Sequence, residues 1–236
     1  MIDFLAIGAH ADDVEISMGG TFAKLVRAGR TGGIVDLTDA SMGTRGTVGE
    51  RREEARRAAG ILGAAFRENL GLRDGFLVPH DQEAELLLIH VFRRHRPRMV
   101  FTHPLHDRHP DHEACASLVR EAAFKAGLAK FPASGDPWRP HRIFHWMGAR
   151  DGEPSFCVEV SATWSVRNEA LQAFGTQFEE RAGLPETPIS GQAFRDVVEA
   201  RSRNLGARIR GEYAEGFHCD ELPEVLDPCA LSEREF

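Results

Sequence analysis

Two short stretches gather side chains suited to metal and acid–base chemistry. The first, Gly8-Ala9-His10-Ala11-Asp12-Asp13-Val14-Glu15, packs one imidazole and three carboxylates into six positions after an apolar run. The second, His103-Pro104-Leu105-His106-Asp107-Arg108-His109-Pro110-Asp111-His112, holds four imidazoles and two aspartates in ten positions. Neither composition serves a hydrophobic core. Imidazole with carboxylate is a borderline-hard donor set that suits Zn2+ and also accepts Fe2+, Mn2+ or Co2+, and no cysteine is close enough in sequence to suggest thiolate ligation. A catalytic zinc takes three protein ligands and keeps one position open for water, and His10, Asp13 and His112 are expected to supply that set.

The other groups then fall into roles around the cation. Adjacent side chains on a turn diverge, so while Asp13 binds metal, Asp12 faces the activated water as the candidate general base. His109 stands three residues before His112 at a helix entrance, beside the metal without binding it. There an imidazolium would stabilise the developing oxyanion and protonate a leaving nitrogen. Asp111 is expected to orient His109 and raise its pKa. Of the remaining histidines, His103 stays open and His106 is the better candidate for a pocket rim. His80, His90, His95, His141 and His145 read as surface or satisfied core groups.

Positioning these motifs requires strands that end where they begin. Residues 4 to 9 form a continuous apolar run, as in a strand buried on both faces of a parallel sheet, and it stops at His10. A helix is expected from Thr21 to Ala28, after Gly19-Gly20 and closed by Gly29. A strand over 33 to 38, a loop over 41 to 47 and a helix from about Gly49 to Leu62 follow, stopped by Gly63. Asp81 can cap a helix ending before Pro97, its terminal arginines complementing the helix dipole. Residues 99 to 102 read as a strand running into the second motif, and Pro110 opens a helix toward Lys125. Strands over 143 to 147 and 156 to 160 and helices over roughly 166 to 181 and 193 to 210 complete the reading. Alternating strands and helices imply a parallel sheet, whose ligand sites lie outside the carboxyl ends of its strands. The fold class expected is α/β, a Rossmann-like, mostly parallel sheet flanked by helices with a C-terminal strand and helix elaboration, in one domain over residues 1–236.

Composition limits the alternatives. The chain has 236 residues, 42% hydrophobic and 28% charged, enough to bury a full core. A formal charge of -7 disfavours nucleic acid and anionic lipid as partners. Met1 to Gly8 lacks a basic leader and no run approaches the ~20 apolar residues of a membrane span, so a cytoplasmic address is expected. Cys115, Cys157, Cys219 and Cys229 lack metal-type spacing and read as reduced thiols. Two competing functions fit parts of this picture: a metal-assisted phosphoesterase, and a sugar-binding or metal-buffering module without turnover. Neither requires an unliganded base beside a metal triad.

Ala9-His10-Ala11-Asp12-Asp13 resembles the Ala-His-Pro-Asp-Asp signature of the PIG-L/LmbE-like zinc N-deacetylases, and His109-Pro110-Asp111-His112 resembles their second signature. The likeness extends through Val35-Asp36-Leu37-Thr38, Gly46-Thr47-Val48 with Arg51 and Glu54, Asp107-Arg108, and Tyr213-Ala214-Glu215-Gly216-Phe217. Within the family the set most closely resembles the deacetylases of bacillithiol biosynthesis, which act on N-acetylglucosaminyl-malate. The resemblance implies zinc on His10, Asp13 and His112, Asp12 as base, and His109 with Asp111 as the oxyanion-stabilising acid. It further implies Arg51 reaching the substrate pocket, Asp74 on sugar hydroxyls, and Arg108 as a partner for malate carboxylates. It leaves a chitooligosaccharide or an inositol conjugate as alternative substrates and implies self-association into a homo-oligomer. Two positions depart from the pattern. Ala11 replaces a proline, which releases backbone φ at a cost of roughly 0.4 to 1 kcal/mol, and Phe194 stands where relatives carry an aromatic hydroxyl.

Overall fold

A computed structural model of the chain describes residues 1–148, 152–179, 183, 185–221, 224, 225 and 227. The strands are β1 (Ile2–Gly8), β2 (Gly32–Thr38), β3 (Arg67–Leu72), β4 (Pro97–Thr102), β5 (Arg142–Trp146), β6 (Phe156–Glu159) and β7 (Ala214–His218). The helices are α1 (Asp13–Arg27), α2 (Val48–Leu62), α3 (Gln82–His95), α4 (Pro110–Ala126), α5 (Trp164–Gln172), α6 (Gly175–Phe178) and α7 (Gln192–Arg208). One seven-stranded sheet has the order β3-β2-β1-β4-β5-β7-β6. Its first five strands in this order pair in parallel, and β7 pairs antiparallel with both β5 and β6.

Alternation along β1 divides the interior. Leu5 and Ile7 join one apolar cluster with Leu88 and Phe92 of α3 and Leu118 of α4, while Phe4 and Ala6 join the opposite one with Phe22 of α1 and Ala58 of α2. The helices start where capping chemistry places them. Thr47 and Glu50 form a reciprocal capping box at α2, the Asp81 carboxylate accepts the Glu83 and Ala84 N–H groups at α3, and Pro110 opens α4. From β1 the chain moves outward to β2 and β3, then returns through α3 to β4 on the other side of β1. The crevice between β1 and β4 is therefore the topological switch point, and both polar motifs leave the sheet there.

Three expectations need correction. The first helix begins at Asp13, not after Gly19-Gly20, because those glycines lie inside it. At Met18 (φ -144, ψ 18) α1 kinks, and the groups freed from the helical ladder find other partners. The Ile16 carbonyl accepts from Arg167 Nη2 at 3.0 Å, and the Gly20 and Thr21 N–H groups donate to the Glu215 carboxylate at 2.9 and 2.6 Å. A Cβ on Gly20 would meet Val160 Cβ at 2.9 Å, so this close approach requires glycine. Second, β3 and β7 are strands where none were anticipated. β3 is an edge strand of sequence RENLGL whose Arg67 turns inward onto Asp36 (2.7 Å) and Glu15 (2.6 Å). Third, the helix expected over 166 to 181 is broken into α5 and α6 at Ala173-Phe174, and residues 180–182 lie outside the described residues.

The Glu215 clasp carries a prediction. Glu215→Ala leaves two buried N–H donors without an acceptor, and its expected cost is ~2–5 kcal/mol, read as a lower urea midpoint at unchanged slope. An unchanged midpoint would show that the kink needs no clasp.

Candidate metal centre and active site

The end of β1 delivers the first motif in a tight turn. Asp12 has φ 135, a left-handed value costly for a residue other than glycine, and it is the residue from which α1 departs. Gly8 has no Cβ to obstruct the fold-back: one there would lie 3.1 Å from both Asp13 Cβ and the His10 carbonyl oxygen. Asp13 Oδ2 accepts from the His10 N–H at 2.7 Å and lies 2.9 Å from His103 Nε2. Asp13 Oδ1 faces His112 Nε2 at 3.4 Å. Donor atoms of His10, Asp13 and His112 all lie within 4.8 Å of one another, so the three side chains reach a common point. A tetrahedral centre with bonds of ~2.0–2.2 Å has donor–donor edges of about 3.4 Å, and the two edges from Asp13, 3.5 Å to His10 Nδ1 and 3.4 Å to His112 Nε2, are of that length. Two imidazoles and a carboxylate therefore fit a divalent cation.

Electrostatics around the centre separates the two aspartates. Burial pushes the Asp12 carboxyl up to about 7, with the Asp13 charge adding to it and Arg51 only partly opposing. Asp13 is equally buried, but the His112 and His103 imidazoles and hydrogen bonds from His10 and His103 hold it well below the ordinary carboxylate range. Burial also works against protonation of His112, yet the Asp13 charge and Asp107, whose Oδ1 is 3.5 Å from Nδ1, lift it to about 9. His103 is driven down to about 4, first by burial and then by His112.

These shifts fix a pH dependence. A ligating imidazole must be neutral, and His112 in the metal-free protein keeps its proton up to about pH 9. Protons thus compete with the cation below that pH. Zinc affinity should climb about tenfold per pH unit for each proton displaced between pH 6 and 8, with proton release visible by titration calorimetry in buffers of different ionisation enthalpy. A pH-independent affinity over that interval would remove His112 from the ligand set.

His109 caps α4, its Nδ1 accepting the Asp111 N–H at 3.2 Å, which leaves Nε2 as its protonated nitrogen. The expectation that the Asp111 carboxylate orients His109 is corrected. That carboxylate accepts from the Gly75 N–H at 2.8 Å and faces His10 Nε2 at 3.4 Å, so Asp111 holds His109 through its backbone. Nor is His109 raised: burial and then the neighbouring His10 and His112 lower it, and the Asp111 charge does not offset them. Arg51 lines the cavity, but its Nη2 is engaged by the Ala11 carbonyl (2.7 Å) and Asp12 Oδ2 (3.3 Å), so it stands against the candidate base. One turn on, Glu54 accepts from the Thr176 N–H and hydroxyl at 2.7 and 2.6 Å and ties α6 to α2. Asp74 also lines the cavity, and its Oδ1 lies 3.1 Å from His10 Nε2. Arg108 is an exposed lining residue with no partner among the described residues.

The His106 expectation is overturned. Its side chain is 97% exposed, whereas His103 is buried within the site and stacks on His112 with ring centroids 3.9 Å apart. A cavity of about 780 Å3 opens over the metal donors. Its far wall, which includes Met147, Ile189, Phe194, Val197 and Arg201, comes from the C-terminal region. Sequence reasoning missed this wall because apolar residues scattered over a loop and a helix carry no motif. Phe194 presents a hydrocarbon ring there, stacked at 5.8 Å on Phe178, and so brings no phenolic donor. Cys115, Cys157 and Cys219 are free, and Cys229 lies outside the described residues.

A doubly wound α/β sheet with imidazole and carboxylate donors at its switch point, a further carboxylate beside them and an imidazole opposite is an arrangement suited to metal-assisted hydrolysis. Residues 5–123 match the family model described as PIG-L, GlcNAc-PI de-N-acetylase. The diacetylchitobiose deacetylase of Thermococcus kodakarensis is 33% identical over 190 residues, covering 75% of this chain and 70% of that protein. The 1D-myo-inositol 2-acetamido-2-deoxy-alpha-D-glucopyranoside deacetylase of Rhodococcus erythropolis is 27% identical over 184 residues, 63% of this chain and 62% of that one. The crystal structure of the conserved protein TT1542 from Thermus thermophilus superposes with a TM-score of 0.88 at 38% identity, covering 97% of this chain and 98% of that chain. The chain belongs to the PIG-L family and is an enzyme of the N-deacetylase class. No helix among the described residues is long and apolar enough to cross a membrane.

Proposed function

We propose that this protein is a cytoplasmic, zinc-dependent hydrolase that removes the acetyl group from the nitrogen of a small N-acetylglucosaminide. The observation that carries this reading is the meeting of donor atoms of His10, Asp13 and His112 within 4.8 Å of one another, with the buried Asp12 carboxylate beside them and outside that set. A divalent cation held by His10, Asp13 and His112 would polarise the amide carbonyl and acidify water. Asp12 takes the proton from the attacking water, and Arg51 keeps its carboxylate aimed into the site. His109, whose Nδ1 accepts the Asp111 N–H, is a neutral Nε2–H donor that hydrogen-bonds the developing oxyanion, and the proton that Asp12 took from water passes to the departing amine. The products are acetate and a free glucosamine amine.

The relatives that act on N-acetylated glucosamine units support the sugar. For the aglycone we propose malate, as in bacillithiol biosynthesis, on the ground that the exposed Arg108 guanidinium at the cavity suits a carboxylate. The test is acetate release by zinc-loaded protein from free N-acetylglucosamine, its malate conjugate, its inositol conjugate and short chitooligosaccharides. A clear preference for the malate conjugate, weakened by Arg108→Ala, is expected. Preference for another member moves the aglycone; no acetate from any of them overturns the sugar assignment.

A further inference from the structure

Arg45 is 4% exposed, and its guanidinium is held by main-chain carbonyls. Nε donates to the Pro185 carbonyl at 2.6 Å and Nη1 to the Glu179 carbonyl at 2.9 Å. Among the described residues no carboxylate forms an ion pair with it. Burying a cation without a counter-charge is costly, so this one holds two stretches of backbone at the expense of stability. The chain beside it is fastened to the same region twice more. The Arg45 carbonyl accepts from Gln177 Nε2 at 2.8 Å, and at Gly46, where φ is 73, a Cβ would meet Thr176 Cβ at 3.0 Å.

Both sides of this junction face the cavity over the metal donors. Met42 and Thr44 line it from the Arg45 side, and Gln177, Thr187 and Ile189 line it from the other, whereas Arg45 stands behind the wall. None of these residues belongs to the triad of His10, Asp13 and His112. Resting on the reading of this cavity as the site of an N-acetylglucosaminide, we propose that Arg45 is a positioning residue for the substrate. By pinning 185–189 against 42–44 it sets the spacing of two walls that hold the sugar conjugate. It therefore acts on substrate binding, and leaves the cation and the proton transfers alone. The planar fork of arginine serves two acceptors at once, which a lysine ammonium does without that fixed geometry.

The experiment measures kcat and KM for acetate release from the four substrates named above, with zinc-saturated wild type, Arg45→Ala and Arg45→Lys, together with zinc affinity by competition with a chromophoric chelator. On the substrate that wild type prefers, Arg45→Ala should raise KM ~10–100-fold and keep kcat within about threefold, because loss of ground-state binding appears in KM. Its zinc affinity should equal that of wild type. Arg45→Lys should fall between the two, and it reads out the effect if the alanine variant does not fold. Wild-type KM in the folded variants, or a loss of kcat that follows weakened zinc binding at unchanged KM, would overturn the proposal and leave Arg45 a contact of the fold alone. Failure of the cavity reading looks different: wild type itself would release no acetate from any of the four, and the proposal would fall with it.

Discussion

Asp12→Ala should retain one zinc per chain and lose about 10²–10⁴-fold in kcat, the range expected when a positioned general base is deleted. The carboxylate is absent from the donor set shared by His10, Asp13 and His112, and its recorded side-chain partner is Arg51 at 3.3 Å. Arg51 keeps the Ala11 carbonyl at 2.7 Å after the substitution, so the wall of the site survives. Alanine at φ 135 is no less strained than aspartate, and a modest stability loss is expected alongside. Asp12→Asn separates the two effects, because it preserves shape and removes basicity. Metal analysis and steady-state acetate release decide the matter. Full turnover in the asparagine variant would dismiss Asp12 as the base, and loss of zinc would make it a ligand.

Asp13→Ala should do the opposite, emptying the centre while leaving the base in place. Asp13 presents one oxygen to each of the other donors, Oδ2 to His10 Nδ1 at 3.5 Å and Oδ1 to His112 Nε2 at 3.4 Å. Its removal also strands the His10 N–H and leaves His103 Nε2 without its 2.9 Å partner. Zinc affinity should fall by more than the ~10–100-fold that an outer partner is worth, and acetate release should drop to background. Chelator competition with circular dichroism as a fold control measures this. Wild-type zinc affinity in the variant would instead favour His10, His109 and Asp111, which also present donor atoms within 4.8 Å of one another.

The convergence of the three candidate donors was legible from sequence because the segments that carry them obey local rules: an apolar run stops, polar residues follow, and a proline opens the next helix. His10, Asp13 and His112 converge in the crevice that the strand order makes. What escaped was every contact made at long range in the chain. Gly19-Gly20 signals a helix break to any local rule, and the bend it marks at Met18 is stabilised by Glu215 and Arg167, 195 and 151 residues away from their partners. Asp111 was assigned through its neighbour His109, yet its carboxylate reaches Gly75 and His10 across the crevice. His106 and His103 have similar surroundings in sequence and opposite fates, because His103 follows the buried end of β4 and His106 rides the exposed turn. Arg67 within a polar hexapeptide could not announce a strand, since its inward charge is compensated by Asp36 and Glu15 from elements far away.

The bend in α1 makes the C-terminal third a structural component of the catalytic half. All three donors and the candidate base precede residue 124, inside or beside the segment matched by the family model. Yet the helix that begins at Asp13 takes its course from a carboxylate on β7 and a guanidinium on α5. A shortened chain ending at Ala123 would keep every group that the proposed reaction uses and lack the brace on α1, so the smallest working unit is expected to extend at least to β7.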